Sequence, residues 1–302
     1  NGNGSFRVTN RDASPFGTYA AQPGARPVAG DFNGDGKVDI ALTGGVGWGS
    51  VPVAFSNGDG AFRITNTTVA TFPALAAQDD VRAVAGDFNG DGKADIALTG
   101  GFAWGGVPVA FSNGDGSFRV TNVFQNNFSI FATQMGARPV VGDFNGDGKA
   151  DLALTGGVGW GSVPVAFSNG DGTFRVTNTT VSNFPIYAAQ AGARPVVGDF
   201  NGDGKADIAL TGGVGWGSVP VAFSNGDGTF RVTNTTVSSF SIYATQVGAR
   251  AVAADFNGDG RADIALSGGL GWGSVPVAFS NGDGSFLVTN TTVADFPGYA
   301  AQ

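Results

Sequence analysis

The chain runs to 302 residues, with 42% hydrophobic and 11% aromatic side chains, 52 glycines and a formal net charge of −8. Cysteine, histidine and glutamate are all absent, so the 24 acidic side chains are aspartates. These zeros exclude disulfides, thiol nucleophiles, a Ser-His-Asp triad and ordinary zinc, copper or haem ligation, and the acidic balance speaks against nucleic acid, which needs clustered Lys and Arg.

From its first residues the chain repeats with a period of 56. Asn1-Gly2-Asn3-Gly4 offers neither a basic nor an apolar leader, so no signal peptide is expected in this stretch. The run Asp-Phe-Asn-Gly-Asp-Gly begins at Asp31, Asp87, Asp143, Asp199 and Asp255. The run Asn-Gly-Asp-Gly begins at Asn57, Asn113, Asn169, Asn225 and Asn281, with a degenerate copy at Asn1. One domain over residues 1–302 is expected, with repeat phases starting at 1, 57, 113, 169 and 225 and a partial repeat over 281–302.

Each repeat reads as four strands, A to D. In the fourth, residues 193–200 form an apolar strand A, and Ala206-Asp207-Ile208-Ala209-Leu210 and Val219-Pro220-Val221-Ala222-Phe223 form B and C. Residues 230–237 alternate apolar with polar and are β-branched, as an outer, half-exposed strand D should be. Asn225-Gly226-Asp227-Gly228 joins C to D as a tight hairpin, because Asn, Asp and Gly tolerate positive φ. No stretch carries a sustained 3.6-residue apolar period, and no run of 18 apolar residues exists to span a membrane. The expected fold is all-β, a β-propeller of 56-residue four-stranded blades. Five complete repeats plus 22 residues predict five blades, with six as the alternative. Strands running up and down put the A–B loop and C–D hairpin at one end, and the B–C loop and D-to-A crossover at the other.

The A–B loop Asp31-Phe32-Asn33-Gly34-Asp35-Gly36-Lys37-Val38-Asp39 places oxygen side chains at positions 1, 3, 5 and 9 and a turn glycine at 6. That spacing can wrap one hard cation, with a carbonyl at position 7 as a further ligand. Position 12 is Leu42 rather than the bidentate Glu of an EF-hand, so Asp39 must close the set. The predicted ligands are Asp31, Asn33, Asp35, the Lys37 carbonyl and Asp39, followed by Asp87, Asn89, Asp91, Lys93 and Asp95. The next sets are Asp143, Asn145, Asp147, Lys149 and Asp151; Asp199, Asn201, Asp203, Lys205 and Asp207; and Asp255, Asn257, Asp259, Arg261 and Asp263. One Ca²⁺ per complete repeat is expected, structural rather than catalytic, and five would carry the net charge from −8 to about +2. The alternative is a glycine-rich turn whose aspartates cap backbone donors.

These loops, spaced by 56 residues, resemble the FG-GAP repeats of integrin α-subunit propellers. The fuller unit, as in Asp207-Ile208-Ala209-Leu210-Thr211-Gly212-Gly213 and Ala222-Phe223-Ser224-Asn225-Gly226-Asp227-Gly228-Thr229-Phe230, is similar to calcium-dependent fungal lectin propellers. That resemblance implies sugar binding of galactose or N-acetylglucosamine type, with galactose/GalNAc favoured.

The five tryptophans, Trp48, Trp104, Trp160, Trp216 and Trp272, share one phase in the B–C loop. The tyrosines Tyr19, Tyr187, Tyr243 and Tyr299 share another in the D-to-A crossover, which Arg26, Arg82, Arg138, Arg194 or Arg250 closes. Strand parity brings these groups together opposite the acidic loops. An indole among glycines can offer a flat face to a sugar's C–H groups while backbone amides and arginine bind hydroxyls. Candidate contacts are the five tryptophans and four tyrosines, Arg26, Arg138, Arg194 and Arg250, and Gly45, Gly47, Gly157, Gly159, Gly213 and Gly215. The alternative has Trp wedged between blades and Arg paired with a neighbouring aspartate. The second repeat, with Leu75, Asp79-Asp80-Val81, Phe102-Ala103 and Gly106, is expected to bind weakest.

Near-identical units favour a multivalent glycan- or glycoconjugate-binding protein over an integrin-like protein-interaction propeller. A glycan-active enzyme is disfavoured, because Asp12, Asp79, Asp80 and Asp295, the aspartates outside loops and hairpins, recur at no common phase. The remaining expectations are no membrane insertion, a secreted or extracellular setting suited to weak calcium loops, and homodimerisation through the surplus terminal strand as one way to close the repeat array. Sequons such as Asn66-Thr67-Thr68 permit glycosylation.

Overall fold

The computed structural model describes residues 11–102, 104–124, 127–237 and 239–292. Blade 1 is an antiparallel sheet of β1 (Arg26–Gly30), β2 (Asp39–Thr43), β3 (Ser50–Ser56) and β4 (Phe62–Thr68), each strand beside the next in chain order. The same four strands recur in residues 82–124, 138–180, 194–236 and 250–292, giving the five four-stranded blades of a β-propeller. The chain forms two compact units, one of residues 1–129 with 168–173, the other of 130–167 with 174–302.

Register follows the side-chain pattern. Arg26 pairs with Thr43 and Gly30 with Asp39 across β1 and β2; Ser50 pairs with Thr68 and Ser56 with Phe62 across β3 and β4. The third strand, Ser-Val-Pro-Val-Ala-Phe-Ser, is buried on both faces over its middle five residues, while β4 is only half buried. That difference is why the inner strands read as continuous apolar runs and the outer one alternates. In the second unit, Val163 and Val165 of one blade pack with Ile208 and Leu210 of the next, around Phe144, Phe167 and Phe184. The core therefore lies between blades.

Within each unit, A–B loops are welded to the following blade. The Ala94 amide donates to the Asp31 carbonyl at 2.7 Å, as Ala206 does to Asp143 and Ala262 to Asp199. The hydroxyl ending the third strand of the next blade adds a second tie: Ser112 Oγ donates to the Phe32 carbonyl at 2.7 Å and Ser224 Oγ to that of Phe144 at 2.6 Å. The loop phenylalanine then tucks under that blade, with Phe32 edge-on to Phe118 and Phe200 to Phe286 at 6.4 Å between centroids. Phe32, Phe88, Phe144 and Phe200 are fully buried. Recurrence of the Phe6, Phe32 and Phe55 phases in every repeat predicts that all three are core, yet Phe256, in the Phe32 phase, is 47% exposed, with no later blade after it among the described residues. Phe6 lies outside the described residues.

The D-to-A crossovers hold five short helices that the sequence period does not announce: α1 (Phe16–Ala20), α2 (Phe72–Ala76), α3 (Phe128–Ala132), α4 (Phe184–Ala188) and α5 (Phe240–Ala244). Five residues make little more than one turn. Their leading phenylalanines are buried and anchor the crossover.

Candidate functional site

At the acidic end each loop is folded on its own carboxylates. Asp31 Oδ1 accepts the amides of Gly34 (2.7 Å) and Asp35 (3.1 Å), and Oδ2 accepts that of Gly36 (2.7 Å). Asn33 Oδ1 accepts the Asp35 amide, and Asp35 accepts both the Lys37 amide (2.9 Å) and its ammonium (2.8 Å). The Lys37 bond holds the Asp35 carboxyl below its ordinary range. Asp39, fully buried, receives the Phe32 amide at 3.0 Å and the Ser56 amide at 2.7 Å, tying loop to third strand. Burial pushes its counterparts Asp95 and Asp207 up to about 7, and neighbouring aspartates push the same way.

The all-oxygen donor set suits a hard divalent ion. A carboxylate offers about four lone-pair directions, so Asp31, with three hydrogen bonds, and Asp39, with two, both retain room for a cation. Among the described residues no three acidic side chains converge at metal-holding distance, and loop amides and Lys37 occupy part of the acceptor capacity.

At the opposite end the B–C loop and the crossover meet, as strand parity requires. Each indole lies on the loop's own second glycine: a Cβ on Gly45, Gly101, Gly157, Gly213 or Gly269 would stand 1.8–1.9 Å from tryptophan Cε2. Tryptophan Nε1 donates to a crossover glutamine, Trp48 to Gln22, Trp104 to Gln78, Trp160 to Gln134, Trp216 to Gln190 and Trp272 to Gln246, at 2.5–2.9 Å. Tyr19, Phe131, Tyr187 and Tyr243 stand edge-on to their tryptophans at 5.3–5.5 Å. Leu75 takes that place beside Trp104 in the repeat series. Asn66 Nδ2 donates to the Tyr19 hydroxyl at 2.7 Å. Tyr299 lies outside the described residues.

The structure thus brings Trp and Tyr together. Two of the arginines bond to backbone: Arg26 Nη1 donates to the Val81 carbonyl and Arg138 Nη1 to the Ala193 carbonyl, bridging consecutive crossovers, while Arg194 and Arg250 are exposed. A cavity of about 450 Å³ opens between Arg26 and Arg82, with Asp80 on its wall. Trp160 is buried, and the other four indoles are part-exposed at the margin of the inter-blade core. Two features escape a reading of the sequence. The glutamine recurs at one phase, but its meeting with Trp 26 residues away needs the fold. The loop-tip residue two before each tryptophan is apolar and exposed: Val46, Phe102, Val158, Val214 and Leu270. Gly106, which replaces the serine of other repeats, is also explained. A Cβ there would meet Asn122 Oδ1 and the Val123 carbonyl at 2.5 Å.

Repeated blades with acidic A–B loops define a class of β-propeller. FG-GAP-like repeats match residues 31–98, 87–154, 143–210 and 199–266, and the chain belongs to that family. Among solved structures it is similar to an Agrocybe aegerita lectin described as recognising non-reducing terminal N-acetylglucosamine: 25% identity, 92% of this chain and 68% of that one, TM-score 0.67. The Photorhabdus luminescens Tc holotoxin pore shares the fold at 21% identity over 91% of this chain and 12% of that one, TM-score 0.57. A fungal alcohol oxidase of the AA5 family, in complex with copper, shares it at 15% over 91% and 54%, TM-score 0.52. No curated protein matches the chain.

Proposed function

We propose that the chain is a multivalent carbohydrate-binding protein, with one shallow site per repeat built on the tryptophan end. The observation that carries this is the recurrence of one Trp–Gln pair in all five repeats, joined by an aromatic edge in four of them. The part-exposed indole of four repeats gives a sugar an apolar face, Trp160 being the most covered, and the glutamine amide beside each supplies a donor and an acceptor for hydroxyls. The similar lectin supports this reading and favours N-acetylglucosamine; the galactose/GalNAc expectation supplies the second arm of the test. The copper oxidase likeness is one of fold, and its chemistry needs ligands of a kind absent here, since the chain has no histidine or cysteine. Glycan-array binding with single Trp→Ala variants tests the proposal. Trp48→Ala and Trp216→Ala should each lower apparent avidity several-fold, and Trp104→Ala least. Unchanged binding in all three variants would sink it.

We also propose one Ca²⁺ per acidic loop, held by the aspartates, the Asn oxygen and the position-7 carbonyl. When bound it would neutralise clustered carboxylates, including the buried Asp95 and Asp207. Lys37 and its counterparts would release the position-5 aspartate to the ion. Calcium should raise the Tm of EGTA-treated protein and titrate calorimetrically to five sites per chain; no heat and an unshifted Tm would refute it. Loops of extracellular affinity would fill only outside the cytosol.

A further inference from the structure

We propose that the tryptophan-bearing end of the second unit seats on an anionic lipid surface as a peripheral docking face. This does not depend on the sugar reading.

Three observations converge on it. First, exposed apolar side chains gather there. Val158, Val214 and Leu270 tip the B–C loops, Ile186 and Ile242 face out from α4 and α5, and Val247 comes just after α5; all are 60–88% exposed. Second, they share one end. The Ala206–Asp143 and Ala262–Asp199 bonds set consecutive acidic loops side by side, so up-and-down strands send every B–C loop and crossover to the other end. The Arg138–Ala193 bond joins two crossovers there. Third, charge is segregated. Every described aspartate of this unit lies in an acidic loop or a C–D hairpin, while Arg194 and Arg250 are exposed at the apolar end.

The form of the patch selects lipid over a protein partner. Each tip is a single side chain on a turn followed by a positive-φ glycine, Gly159, Gly215 or Gly271. A protein interface core wants contiguous close packing. A headgroup layer accepts isolated apolar side chains, with Trp and Tyr behind them at the interfacial depth they favour. Exposed arginines on a face without described carboxylates attract anionic headgroups. No described helix is long and apolar enough to cross a bilayer, which suits a peripheral seat.

The test uses sugar-free vesicles, so it can fail without touching the glycan proposal. The full chain is sedimented with phosphatidylcholine vesicles with or without about 30% phosphatidylserine, in salt from about 0.1 M to about 0.5 M. Binding is expected with phosphatidylserine, weakened several-fold by salt and unchanged by free N-acetylglucosamine. The triple variant Val158→Ser, Val214→Ser, Leu270→Ser should lose about tenfold in partitioning. Quenching of wild-type tryptophan fluorescence by brominated lipid should report the same contact without any substitution. Absent sedimentation and quenching, or a folded triple variant that binds as wild type, overturns the proposal. Self-association abolished by the triple variant, with no vesicle binding, also overturns it and assigns the face to a second copy.

Discussion

The glycine under each indole decides where the indole can lie. Tryptophan among glycines looks in sequence as if it had nothing to pack on, yet the missing Cβ is what it packs on. Gly157→Ala would put a methyl 1.9 Å from Trp160 Cε2, and overpacking of that kind costs about 1–3 kcal/mol. Gly161→Ala, with nothing within 4 Å of its Cβ and no positive φ, should stay within about 0.5 kcal/mol. Urea unfolding midpoints of the two variants check the contrast, and the Trp160 emission should shift only in the first. The arginines teach the converse. Their phase is plain in sequence, but whether Arg26 meets a ligand, an aspartate or the Val81 carbonyl depends on a neighbour 55 residues away.

At the scale of elements, the strands were legible because two-residue alternation and β-branching mark a half-buried sheet, and the acidic loops because their Asp, Asn and Gly spacing is specific. The crossover helices were not, since five residues are too few to show a 3.6-residue period. The C–D hairpins read as turns, and their aspartates act as such. Asp115 Oδ1 accepts the Ser117 amide and hydroxyl at 2.8 and 2.7 Å, a pattern that recurs at Asp171, Asp227 and Asp283. Those hydroxyl bonds hold all four carboxyls below their ordinary range. A depressed folded pKa gives stability that is complete above the unfolded value of about 3.9 and lost as pH falls through the lower folded one. Replacing the four with Asn should therefore flatten the fall in Tm between neutral pH and about pH 2–3. Parallel acid limbs in variant and wild type would count against it.

Across the whole molecule the repeat makes stability a matter of seams. Phe32, Phe144 and Phe200 are each covered by the next blade of their own unit, whereas Phe256, with no later blade described beyond it, stays half exposed. Sequence arithmetic places this residue in the core with the others, because phase alone does not say which neighbour completes it. The acidic loops belong to the seams as well, since the Asp31 carbonyl takes the Ala94 amide while the Asp31 side chain organises the loop. An ion held by such a loop would act on the joint between two blades more than on either sheet. That makes three backbone protons natural reporters. In deuterated solvent the Ala94, Ala206 and Ala262 amides should be strongly protected with calcium and exchange faster after chelation. Amides within the sheets should keep their rates, so that the blades come apart before any of them unravels.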